Sequence, residues 1–337
     1  MGKKRKLSGF SGAKLLSAYD SLIELRKKFQ YEVVDEQAED VESAKADRFE
    51  EQLDKLLSLM EPKLQTRFPH SHLLQSSSFS NVTLEILEGY LCIKQAANLR
   101  LKSDHLARAE KTTDLGKDQL WSSNNLHRHL NGLEMLVPQT SEANARSWID
   151  AFFFRASAMV PTGMRMVLNM EHAIPATVFH STTLAGQIDY SAVVAEESVA
   201  DAILDDPLMS TIRRLSPTGF SVTVAEPGNL RDHVGQAVAE MYGCAKLLKT
   251  ESMRGALTNG HQWIFLILRL SFDGNGGTFK RSVTVHLSVS RLPGDLPEVA
   301  KPTADLIAGI LSFWIEHSFD DLGQDDWFEL IQVKSRE

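Results

Sequence analysis

At 337 residues, with 43% hydrophobic and 24% charged side chains, the chain has the composition of a globular protein, not a disordered one, and is long enough for one large domain or two moderate ones. Its formal net charge of −8 excludes a uniformly basic nucleic-acid coat but leaves room for a local basic groove. No run reaches the roughly 18 apolar residues of a membrane span, and Met1 to Gly12 is basic and then polar, without the apolar stretch of a secretory signal.

The two cysteines, Cys92 and Cys244, form no metal-ligand spacing and no disulfide framework, which suits a reduced intracellular compartment, cytoplasmic or nuclear. Lys3, Lys4, Arg5 and Lys6 form a basic run, read either as a nuclear-import address or phosphate-binding arm, or as a solvated terminus. Leu15, Leu16, Tyr19, Leu22, Ile23 and Leu25 then mark an amphipathic helix within residues 11 to 31. An acidic stretch from Glu32 to Asp54 follows, a solvated face or linker in preference to a partner-binding element. Leu53, Leu56, Leu57 and Met60 supply the stripe of a second helix, and Leu84, Ile86, Leu87, Leu91, Ile93 and Ala97 that of a third, over 82–103. From Lys102 to Pro138 the pattern weakens. The chain thus divides into a helical N-terminal region over 1–110, an irregular connection over 111–138, and an α/β domain over 139–337.

Within that domain, residues 139–159 read as a helix capped by Thr140 or Ser141, with Trp148, Phe152, Ala156 and Met159 on one face. Residues 176–182 and 184–195 read as a hairpin, "GFSVTVAE" (219–226) as a third strand, and Leu230 to Lys249 as a helix buried through Val234, Val238 and Met241. "HQWIFLILRL" (261–270) is apolar on both faces, as a central strand is; an alternating strand over 279–289 and an apolar helix over 302–319 close the chain. The order αβββαβ defines a mixed α/β (α+β) fold.

Three carboxylates fall at comparable points of that order: Glu142 near the start of the first helix, Asp189 in the second strand, and Glu226 at the end of the third. Gln236 and Glu240 lie one turn apart on the next helix, off its apolar stripe. Such oxygen donors suit Mg²⁺, which needs one or two carboxylates besides water and phosphate, and which can generate hydroxide at a scissile phosphate. Each residue also has an ordinary reading. Asp189 can be a hydrogen-bonded acid in a strand pair, Glu226 can serve the Pro227–Gly228 turn, and Glu142 can answer the helix dipole. Gln236 and Glu240 can be surface residues. No histidine pair has zinc-protease spacing, and no phosphate-loop or nucleophile-elbow motif occurs.

The order αβββαβ, with Asp in strand two and an acid closing strand three, resembles the PD-(D/E)XK nuclease-like (restriction-endonuclease-like) fold. "SWIDAFFFRASAM", "GQIDY", "RDHVGQAVAEMYGCAK" and "RGALTNGHQWIFL" resemble blocks of a group of uncharacterised basidiomycete fungal proteins, related to nuclease modules of Crinkler-type effectors. The resemblance covers about residues 139–272. It implies that Asp189 and Glu226 hold the metal, that Glu142 is the helix-borne acid, and that Gln236 is the glutamine of the following helix. The Glu-x-Lys signature departs from the pattern: with Glu226 as its acid, Gly228 stands at the lysine position, and with Val224 as the acid position, Glu226 does. Arg231 and Lys246 are the candidate substitute cations. Two functions follow: a degenerate member that binds DNA, RNA or a protein partner without cutting, and a Mg²⁺-dependent endonuclease acting through Asp189 and Glu226. The acidic balance and the missing lysine favour the first.

Overall fold

The structure, a computed structural model, describes residues 75–331 apart from 139–140, 180–181, 227, 273 and 292–295, together with Leu22, 52–53 and 55–58; the side chains of 75–77, 175–179, 182 and 183 are not described. The basic run at Lys3–Lys6, most of the helix expected over 11–31 and most of the acidic segment lie outside these residues. Two compact units divide the chain, Met1–Ser76 with His180–Thr183, and Ser77–Phe179 with Leu184–Glu337. In the first, residues 52–53 and 55–58 are helical, with Leu53 and Leu57 buried and Leu56 exposed.

The second unit is built on a mixed sheet. After β1 (Gln75–Ser78) come α1 (Leu84–Gly89), β2 (Ile93–Leu101), α2 (His105–Thr112), α3 (Ser123–Leu136), α4 (Glu142–Ser157), β3 (Met164–Phe179) and β4 (Thr182–Glu196). Then follow α5 (Glu197–Asp205), α6 (Met209–Leu215), β5 (Gly219–Ala225), α7 (Val234–Leu248), β6 (Ser252–Thr258), β7 (Gln262–Leu270), β8 (Gly277–Ser282) and β9 (Val285–His286). The short pair β10 (Val289–Ser290) and β11 (Glu298–Val299), α8 (Lys301–Glu316) and β12 (Phe328–Leu330) complete it. From β4 the strands run β4-β5-β6-β7-β8-β2-β12, with β3 also on β4. The pairs β5–β6 and β2–β8 are parallel. The succession α4-β3-β4-β5-α7-β6 has the order αβββαβ, with α5 and α6 inserted before β5.

Two apolar layers cover the sheet, and the strands alternate between them. Ile264, Leu266 and Leu268 of β7 join Val222 and Val224 of β5 in the layer with α7. Trp263, Phe265 and Ile267 of β7 face the other layer, with α4 and α8. That two-sided demand is why the strand is apolar throughout. On the α8 side β5 offers small residues: a Cβ on Gly219 would lie 2.3 Å from the Ile315 carbonyl oxygen.

Several expected elements differ. The helix over 82–103 ends at Gly89, Cys92 takes a left-handed φ of 52°, and β2 follows, joining the main sheet. The helical spacing of Leu91, Ile93 and Ala97 was coincidental with strand alternation, so the first 110 residues are not wholly helical. The stretch 111–138 is not irregular, since it contains α3, with Ser122 accepting from the Asn125 N–H and Leu126 and Leu130 fully buried. Polar groups organise this region, which is why apolar periodicity is weak there. Arg155 donates to the carbonyls of Thr112, Leu115 and Trp121, and Asn131 and His127 bond the backbone of Val299. The strand after α7 is β6, and not "HQWIFLILRL", which follows as its antiparallel neighbour. Arg254 and Gly255 hid β6 in the sequence. The Arg254 charge is buried against Asp326 at 2.8 Å, over the Trp314 ring. Among the described residues, no helix is long and apolar enough to cross a membrane.

Candidate functional site

The parallel strands β5 and β6 end side by side, and the chain leaving β5 turns through Leu230–His233 into α7. In open α/β sheets this carboxyl end of parallel strands is where ligands collect, because the connections there diverge and leave a crevice. Asp189 reaches the same end from β4, one residue before Tyr190, which pairs with Thr223 of β5. Its Oδ2 accepts the Ala225 N–H at 2.8 Å. Glu226, the first residue beyond β5, is fixed through its own N–H to the Thr258 carbonyl at 2.9 Å. Its side chain lies 3.5 Å from His233 Nδ1.

The acids converge. Burial raises the Asp189 carboxyl above its ordinary value; the Ala225 N–H and Arg146 oppose the rise, while the charges of Glu142 and Glu226 add to it. Glu240, 1% exposed on α7, is pushed well above the carboxylate range by burial; the Gln236 amide opposes this, and Asp189 and Glu226 reinforce it. Gln236 Nε2 donates to Glu240 Oε1 at 3.1 Å, and among the described residues Glu240 Oε2 has no hydrogen-bond partner. Burial therefore favours the protonated form of Glu240.

The cation among these acids is Arg146. One turn after Glu142 on α4, it donates through Nη2 to Glu142 at 2.9 Å and Asp189 Oδ1 at 3.1 Å, and through Nη1 to Glu171 at 2.9 Å. Burial works against its charge, but the bonds to Glu142 and Glu171 and the field of Asp189 prevail and raise its pKa. Glu171, within β3, takes a left-handed φ of 53°, a conformation unfavourable for a residue with a Cβ. Tyr190 ties β4 to the middle of α4 by donating to Asp150 at 2.8 Å.

Of the residues expected at the site, Glu142, Asp189 and Glu226 thus share one electrostatic neighbourhood, and Gln236 joins it through Glu240. The expected substitute cations lie elsewhere. Lys246 donates to the Gly274 carbonyl at 2.9 Å, in the loop after β7. Arg231 faces Arg281 of β8. Sequence reasoning missed Arg146 and Glu171, and it read His233, which lies against Glu226, as a structural hydrogen-bonding group in preference to a ligand. The only available signal was the Glu142–Arg146 spacing, common to any solvated helix face.

The chain matches no known protein family and no curated protein.

Among the described residues, no group of three or more His, Cys, Asp or Glu side chains is arranged to hold a metal ion. Both oxygens of Asp189 carry protein hydrogen bonds, one from a guanidinium. As arranged, Asp189 is an ion-pair partner, not an open ligand, and the acids do not form a ready Mg²⁺ site.

Proposed function

We propose that this chain is a non-cutting relative of PD-(D/E)XK nucleases that binds nucleic acid, or a protein partner, through the end of the sheet carrying Asp189 and Glu226. The observation that carries this reading is Arg146, whose guanidinium bridges Asp189, Glu142 and Glu171 where a hydrolytic site would need open carboxylate oxygens. The αβββαβ order and the absence of the signature lysine support it. A fold by itself does not assign a function, so the weight rests on the site. An intracellular location, with Lys3–Lys6 as an import address, belongs to the same reading.

One observation favours the alternative, a Mg²⁺-dependent endonuclease acting through Asp189 and Glu226. Glu240 Oε2, without a hydrogen-bond partner among the described residues, and the like charges of Asp189 and Glu226 beside it are features that an added cation would relieve. That reading requires Arg146 to release Asp189. The deciding experiment incubates the full chain with single- and double-stranded DNA and RNA in Mg²⁺ or Mn²⁺, beside Asp189→Ala, and measures binding to the same strands. Binding without cleavage is the expected result. Cleavage that Asp189→Ala abolishes overturns the non-cutting reading.

A further inference from the structure

A second cluster of polar groups lies at the same end of the sheet, on the side of α7. Arg231, in the turn between β5 and α7, and Arg281, on β8, line an open cavity of about 400 Å³ together with Asn98, Thr284 and His286. That size falls within the range of small-molecule sites. The sheet register fixes the wall, since Arg281 pairs with Leu266 on one side and Asn98 on the other. His286 opposes Gln262 at the start of β7.

The cavity wall carries cations and hydrogen-bond donors, and no carboxylate. Several other guanidiniums meet a carboxylate: Arg100 meets Glu329, Arg254 meets Asp326, and Arg291 meets Glu134. Among the described residues, neither the Arg231 nor the Arg281 side chain has an acceptor. Burial, and then the neighbouring charge of Arg231, lower the pKa of Arg281. A partly buried guanidinium without an acceptor, facing a second one, is an unfavourable arrangement that a doubly accepting oxyanion relieves. Guanidinium forks match phosphate geometry, and two of them converging on one cavity select a phosphate group over a carboxylate of single charge. The Asn98 side chain adds a donor: its Oδ1 accepts from Gln95 at 2.8 Å, which leaves its NH₂ for the cavity.

We propose that Arg231 and Arg281 form a phosphate-binding site, occupied by a phosphate group of a nucleic-acid strand or of a small phosphorylated ligand. Arg231 stands two residues before His233, which contacts Glu226, so a strand anchored here would continue toward the acids. The nucleic-acid arm rests on the function proposed above; the phosphate site does not.

The test uses the full chain, inorganic pyrophosphate and a fluorescein-labelled single-stranded oligonucleotide, with Arg231→Gln, Arg281→Gln and the double variant. Pyrophosphate should raise the thermal midpoint of the wild type. Each single variant should weaken pyrophosphate affinity about tenfold, and the double variant should abolish the shift. Because a facing like charge is removed, the ligand-free midpoint of Arg281→Gln should equal or exceed that of wild type, which separates lost binding from lost folding. If the site takes a strand, each variant also lowers the salt slope of oligonucleotide binding by about 0.7. Arginine-dependent pyrophosphate binding with no oligonucleotide binding upholds the site and sinks the nucleic-acid function. Pyrophosphate binding that is absent in wild type, or unchanged in the double variant, overturns the site.

Discussion

Replacing Arg146 by Met keeps the apolar stem of the side chain and removes the cation bonded to Glu142, Asp189 and Glu171. The cost can be assembled from the contacts. The Asp189 bond joins side chains only 21% and 24% exposed, and a charge-assisted bond in that setting contributes about 1.5–3 kcal/mol. Glu142 and Glu171 are 48% and 61% exposed, so solvent screening leaves each of those pairs about 0.2–1 kcal/mol. Arg146→Met should therefore destabilise the protein by about 2–5 kcal/mol near neutral pH. The sign of its pH dependence follows from Asp189, whose folded pKa is already raised by burial and rises further without Arg146. A carboxyl with a raised folded pKa costs stability once the unfolded form ionises. The deficit should therefore shrink as pH falls through the Asp189 titration, where the protonated acid needs no counter-charge. Urea unfolding followed by circular dichroism at pH 7.5 and pH 5 measures both quantities. A deficit below about 0.5 kcal/mol, or one independent of pH, would refute the claim that Arg146 is the resident cation. Millimolar Mn²⁺ should stabilise Arg146→Met more than the wild type, because only the variant leaves Asp189 Oδ1 open.

Two further predictions rest on buried polar groups away from the site. His172, 8% exposed and bonded to Ser191 Oγ at 2.9 Å, has its pKa lowered by burial to about 4. Its contribution is present in full above the unfolded value and is lost as pH falls from about 6.5 through 4, amounting to about 3 kcal/mol. His172→Gln should flatten the stability profile across that window, and a wild-type profile already flat there would contradict the assignment. Arg254→Met should cost about 3–5 kcal/mol by stranding the Asp326 carboxylate, itself 1% exposed, and Arg254→Met combined with Asp326→Asn should recover part of the loss. A double variant whose loss, measured by denaturation, equals the sum of the Arg254→Met and Asp326→Asn losses would show that the pair is not coupled.

Much of the second unit was legible because apolar periodicity reports burial directly. The second strand of the hairpin, "GFSVTVAE", the helix after it and the two-sided strand "HQWIFLILRL" lie near their expected bounds, since each must present apolar residues to one or both layers, whereas the first hairpin strand begins at Met164, well before the expected 176. The elements that escaped are those stabilised by polar groups. β6 carries Arg254, α3 is tied down by Asn131, Ser123 and His127, and Cys92 breaks a helix whose spacing otherwise continued. The site followed the same division. Asp189, Glu226, Glu142 and Gln236 could be singled out by residue type and place in the element order, but the ion pairs and hydrogen bonds they make could not.

What the sequence determined by itself was the mixed α/β class and most of the helices and strands after residue 141, because these depend on the order and spacing of residues along the chain. Which cation meets the acids was decided only by tertiary structure. Arg231 and Lys246 are nearer to Glu226 along the chain, yet Arg146, eighty positions before it, is the one that α4 sets against Asp189. Likewise, nothing local joins Arg231 to Arg281, fifty positions apart, until the sheet places β8 beside the turn that leads into α7. Charge acts through space, and only the packing of helices on the sheet determines which distant charges become neighbours.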